Sequence, residues 1–303
     1  MVLAVPFLAA LAFAAPAAAP LPPSGGDEIV VTGNRDAERE VRDFVRALAP
    51  GSPLGQLSRF EWEACPVAVG VSPSQKQALT RRIRHVASAA GIKLAPVGCS
   101  PNVLLVVASD KKAFIEALAK RHPDYIGNMA PRAFRRLVSQ PGPAAAWQVD
   151  GPLLNADGQP IGAARLTGPG FDADADATVY INDTTRTTTR VSAGARPHFT
   201  AAVVVVEGKA LEGLTTTQLA DYAAMRAFAR TDPSRLKPGA PPTILKILDA
   251  PMGSEVPLTL TPRDLGFLRG LYAAKENLFA GSQRSEIRKA IEEEMRGEGA
   301  RQK

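Results

Sequence analysis

Histidine and cysteine are scarce in this chain: 303 residues include three histidines and two cysteines. His85, His122 and His198 lie far apart, so there is no His-Glu-x-x-His and no other paired spacing for zinc. Gly-x-Ser-x-Gly is missing, which removes the strand-to-helix elbow that presents a hydrolase serine. Neither Gly-x-x-x-x-Gly-Lys nor a Gly-x-Gly-x-x-Gly following a strand is present, so no phosphate-cradling loop is marked. Aromatic residues make up only 6%, which leaves no stacking platform for single-stranded nucleic acid. Charge of one sign is also in short supply. Lys plus Arg is 36 and Asp plus Glu is 30, a net +6 that does not call for a nucleic-acid partner. Beyond the first 19 residues no apolar run approaches a membrane span.

What is present starts with an address. Residues 1–19 are apolar and small, broken by Pro6 and Pro16 and ending in Ala17-Ala18-Ala19. The run is too short to span a bilayer, and the small-x-small ending fits a secretory signal peptide, so export to the periplasm or beyond is the expected location. The terminal amine is the only positive charge ahead of the apolar core, and Asp27 is the first charged side chain. Export places Cys65 and Cys99 in an oxidising compartment, where a lone pair of thiols is expected to join. Cys65 opens the apolar run 65–71 and Cys99 just precedes the run 102–108, with helical character between. If those runs are neighbouring parallel strands, both thiols lie at the same end, and the bridge closes a loop of about 35 residues, stabilising by roughly 3–4 kcal/mol.

Residues 20–34 are Pro- and Gly-rich and read as a flexible lead, followed by one α+β domain over 35–297 and a disordered tail at 298–303. Apolar spacing predicts helices at 35–49 and after Ser72-Pro73, the latter with Ala78, Leu79, Ile83, Val86 and Ala90 on one face. A helix capped by Asp110, a short one at 131–139, and others at 215–230, 241–248, 262–274 and 282–297 complete the helical set. Strands are expected at 65–71, 102–108, 146–149, 178–181 and 199–206. Residues 140–176 otherwise read as loops. The predicted architecture is a mixed β-sheet with helices packed on it and a helical C-terminal half. The basic clusters Arg81-Arg82-Ile83-Arg84 and Arg132-Ala133-Phe134-Arg135-Arg136 read as solvated helix faces.

Asp172, Asp174 and Asp176 match positions 1, 3 and 5 of a calcium loop, and Asp183 falls at position 12. Ala177 stands where that loop needs glycine, and Asp183 is shorter than the usual glutamate, so these four are weak metal candidates. No catalytic or cofactor-binding residue is assigned, and no cofactor is expected.

Two resemblances add to this reading. Glu28-Ile29-Val30-Val31-Thr32-Gly33-Asn34-Arg35 resembles the box by which outer-membrane receptors pair with the TonB protein, and it implies an envelope protein partner. The element order, with a helix directly after Ala202–Glu207, resembles that of zincin-like metallopeptidases. The blocks 218–226, 243–249 and 260–272 resemble a family of exported bacterial proteins related to zincins. Where a zincin carries its zinc ligands, this chain has Gln218, Asp221 and Tyr222. The resemblance therefore implies a degenerate scaffold without zinc-water activation, used for binding or envelope maintenance. The alternatives are a hydrolase, metal-dependent or built on a triad assembled in space, and a TonB-linked interaction protein.

Overall fold

The computed structural model describes residues 32–51, 55–165, 178–181, 194–237, 239–251 and 253–301. The signal-like segment 1–19, the acidic run Asp172–Asp176 and Asp183 lie outside the described residues. The elements in chain order are α1 (Thr32–Leu48), β1 (Arg59–Phe60), β2 (Pro66–Val69), α2 (Pro73–Ala89), β3 (Val103–Ala108), α3 (Lys111–Arg121) and α4 (Pro131–Val138). They continue with β4 (Ala144–Asp150), β5 (Leu154–Asn155), β6 (Gly162–Arg165), β7 (Thr178–Ile181), β8 (Ala195–Arg196) and β9 (His198–Glu207). The last are α5 (Thr216–Phe228), α6 (Pro262–Ala273) and α7 (Ala280–Arg301).

Helix starts follow local chemistry. Ser72 and Gln75 form a reciprocal capping box at α2, with Pro73 in the first turn, where its missing N–H costs nothing. Thr215 with Gln218 does the same for α5, and Thr261 with Asp264 for α6. At α3 the Asp110 carboxylate accepts the Ala113 N–H at 2.8 Å.

β9 organises the sheet. Val203 pairs with Leu104 of parallel β3 and with Trp147 of antiparallel β4, so β9 lies between them. β1 runs parallel to the start of β9, and β2 adds to the outer side of β3. The sheet is thus mixed, and after β9 every described element is helical, which makes the fold α+β. Val203, Val204, Val205 and Val206 are all fully buried, because both faces of β9 are covered. Leu105, Val204 and Val206 face a core shared with α1, α2, α5, α6 and α7. Val106, Val203, Val205 and Trp147 face a second core with Ile115 and Leu118 of α3 and Leu137 of α4.

Two glycines let α7 reach α6. A Cβ on Gly266 would sit 2.6 Å from the Ile291 Cα, and one on Gly270 would sit 2.4 Å from the Ile287 Cα. Backbone cannot yield at such distances, so these positions admit hydrogen alone.

Four segments differ from the sequence expectation, the first being the start of the chain, where α1 begins at Thr32, inside the lead expected to be flexible over 20–34. Residues 241–248 form only a 3-10 turn at Ile244–Lys246. Pro241 and Pro242 offer no N–H, and the Ile244 N–H is taken by the Asp264 carboxylate at 3.0 Å. Within 140–176, β5 and β6 occur in addition to β4, and β5 pairs with β8 through Leu154↔Arg196. At the other end of the chain, α7 continues to Arg301. No helix among the described residues is long and apolar enough to cross a membrane.

Candidate functional site

The polar residues of α5 come first, since the zincin-like resemblance points to them. α5 is buried from Gln218 to Phe228 on every face. Asp221 is 0% exposed, and its carboxylate accepts Arg82 Nε at 2.7 Å and Arg82 Nη2 at 2.9 Å. The Thr259 hydroxyl and the Leu260 N–H complete it at 2.7 and 2.8 Å. The hydrogen bond from Asp221 holds the Arg82 pKa above its ordinary value, against the opposing effect of burial. Gln218 Nε2 donates to the Pro257 carbonyl at 2.9 Å. Tyr222 is buried, which raises its phenol pKa, and the Arg226 guanidinium lies 5.8 Å from its ring centroid. Gln218 and Asp221 tie α5 to its neighbours, Tyr222 meets Arg226 of the same helix, and all three side chains are buried.

The histidines do not meet. His85 and His122 are exposed, on α2 and just after α3. His198 is 0% exposed, and its ring meets the Trp62 ring edge to face at 4.4 Å between centroids. Burial lowers its pKa, the Asp150 carboxylate opposes that shift, and the Arg196 guanidinium reinforces it. A Cβ at Gly151 would lie 2.4 Å from His198 Nε2, so glycine there makes room for the ring. Among the described residues no three His, Cys, Asp or Glu side chains cluster as metal ligands.

Cys65 and Cys99 are joined, with Cα atoms 6.1 Å apart. The reason is the one the spacing suggests: β2 and β3 run parallel, Pro66 beside Val103, so the chain segments just ahead of both strands lie together. Beside this bridge is a surface groove of about 640 Å³, within the ~300–1,000 Å³ range of small-molecule sites. One wall is apolar and comprises Pro66, Val67, the disulfide, Val97 and Pro101. The other wall is the outward face of α2, with Lys76, Gln77, Thr80, Arg81 and Arg84 at helical spacing. The inward face of the same helix buries Leu79, Ile83, Val86 and Ala87.

The apolar wall is firmly held. Pro96-Val97-Gly98-Cys99 is a tight turn closed by the Cys99 N–H on the Pro96 carbonyl at 3.3 Å, with Gly98 at φ +90°. Glycine alone takes that φ without strain, and the turn pushes Val97 outward to 90% exposure. Arg84 Nη2 donates to the Ala95 carbonyl and the Tyr125 hydroxyl to the Pro101 carbonyl, each at 2.7 Å. Asn102 bridges the strand starts, accepting from the Cys65 N–H at 2.7 Å and donating to the Glu63 carbonyl at 3.1 Å.

Sequence reasoning finds the bridge but not the groove. Arg81-Arg82-Ile83-Arg84 looks like one solvated face, yet its arginines part company. Arg81 is exposed, Arg82 turns to Asp221, and Arg84 bonds the turn. A usable signal was the polar set 76, 77, 80, 81 and 84 opposite an apolar face, next to a Pro-Val-Gly turn. The second cluster behaves as expected, with Arg132, Arg135 and Arg136 exposed on α4.

Comparison with protein-family models, curated proteins and solved structures finds no match to this chain.

Proposed function

We propose that this chain is an exported, non-catalytic binding protein of the bacterial envelope, and that its ligand occupies the groove beside Cys65–Cys99. The observation that carries this reading is Val97. Val97 is 90% exposed and continues the apolar wall of Pro66, Val67 and Pro101 opposite a cationic helix, a concave surface suited to a partner molecule. Gln218 and Asp221 of α5 support a binding role over a zincin-type reaction, because both side chains are already hydrogen-bonded within the fold. The element order remains compatible with a degenerate zincin-like scaffold, and the signal-like segment with periplasmic export.

The test uses an anionic apolar dye, 8-anilinonaphthalene-1-sulfonate, with the full mature chain and its Val97→Asp variant. Val97 is exposed, so the variant should fold as the parent does. Fluorescence should rise with the parent and stay near background with the variant. An equal rise with both would overturn the groove as the binding surface.

A further inference from the structure

The groove's two walls differ in chemistry, and the difference selects a ligand. Resting on the reading of this groove as the binding surface, we infer that it takes a single-chain amphiphile with an anionic head, such as a fatty carboxylate.

The charge comes from α2. Lys76, Arg81 and Arg84 line the groove, and no residue of its lining is acidic. No carboxylate among the described residues is paired with Lys76 or Arg81, and both are exposed. Their charges are therefore available to a ligand, whereas Arg84 is partly committed to the Ala95 carbonyl. The opposite wall, Val67, Val97 and the disulfide, offers no charge and accepts a hydrocarbon chain. A ligand lying along the groove thus meets cations on one flank and apolar surface on the other.

The sheet edge argues against an extended peptide as occupant. β2 is the outer strand, and just ahead of it the Cys65 carbonyl accepts the Asn102 and Val103 N–H groups at 3.1 and 3.2 Å, so odd-numbered residues turn toward β3. On the free side Pro66 has no N–H, and the Ala68 N–H donates to Thr80 Oγ1 at 3.2 Å. An added strand finds no main-chain donor there. A ligand that needs no ladder of amides is favoured.

The experiment is calorimetric titration of the delipidated mature chain with dodecanoate below its micelle threshold. Dodecyltrimethylammonium, dodecyl maltoside and acetate serve as controls. The variants are Lys76→Glu/Arg81→Glu, both on an exposed helix face, and Val97→Asp. Dodecanoate should bind one to one, and the double reversal should weaken it by about tenfold or more. Circular dichroism and the unfolding midpoint should be unchanged. The cationic amphiphile should bind only the double variant, and acetate should bind neither protein. Equal binding of all three dodecyl amphiphiles, lost in Val97→Asp, would overturn the anionic head while the groove stands. Binding that Val97→Asp leaves unaltered would overturn the groove as well. Acetate binding as tight as dodecanoate, or affinity only for acidic peptides or for vesicles of anionic phospholipid, would overturn the amphiphile.

Discussion

Arg82 of α2 grips Asp221 of α5 with two parallel hydrogen bonds, Nε to Oδ1 at 2.7 Å and Nη2 to Oδ2 at 2.9 Å. The carboxylate is 0% exposed and the arginine side chain 30% exposed, so the pair joins α5 to the middle of the groove-bearing helix. Removing one partner leaves the other poorly solvated, which costs far more than replacing both.

Asp221→Asn should therefore destabilise the chain by about 3 kcal/mol or more. A double replacement, Arg82→Met with Asp221→Leu, should cost clearly less than the sum of its single changes. Urea unfolding of the four proteins measures this cycle, and strict additivity would mean that the two residues do not act as a pair.

Gly270→Ala should cost about 2 kcal/mol or more, because its Cβ would meet the Ile287 Cα at 2.4 Å. Gly281, at the start of α7, has nothing within 4 Å of an added Cβ. Gly281→Ala should be neutral or slightly stabilising through helix propensity. Thermal unfolding separates the two, and equal midpoints would contradict the close α6–α7 approach.

His198 gives the fold an acid limit. Its folded pKa lies below the ordinary value of 6.5, with burial the main cause. In the window between the lowered pKa and 6.5 the unfolded chain binds the extra proton and the folded chain does not. This contribution to stability is complete above 6.5 and declines as pH falls through it. Unfolding free energies at pH 7.5 and 5 should differ for the parent, and the gap should narrow in His198→Gln. An unchanged gap would assign the acid sensitivity elsewhere.

Reduction of Cys65–Cys99 reopens a loop spanning 34 residues in sequence separation. In the chain-entropy account this removes roughly 3–4 kcal/mol. It also frees one end of the Val97 turn, so dodecanoate affinity should fall along with stability. Titration with and without reductant, at a temperature where both forms remain folded, reads the two effects separately.

The sequence was most legible where a signal is local. Ser72-Pro73, Asp110 and Thr261-Pro262 announce helices because each cap is made by residues within one turn. The continuous apolar run Ala201–Val206 announces a strand covered on both faces. The bridge was legible because two such runs fixed where both thiols would lie. What stayed hidden depends on distant partners. The 3-10 turn at Ile244–Lys246 owes its form to Asp264. The two-residue β1 exists only against β9, with Phe60 beside Phe199. Arg82 looks like its exposed neighbour Arg81 until Asp221 arrives from α5. The groove belongs to this class, since its walls come from α2 and from a turn beyond it, brought together by strand pairing.

The most direct measurement of the groove's role is photo-crosslinking with a diazirine-bearing dodecanoate, followed by peptide mapping. The account predicts saturable labelling confined to residues 65–67, 73–84 and 97–101, competed by unlabelled dodecanoate and lost in Val97→Asp. Saturable labelling elsewhere, such as the proline-rich segment 233–257, or labelling that never saturates, would contradict it.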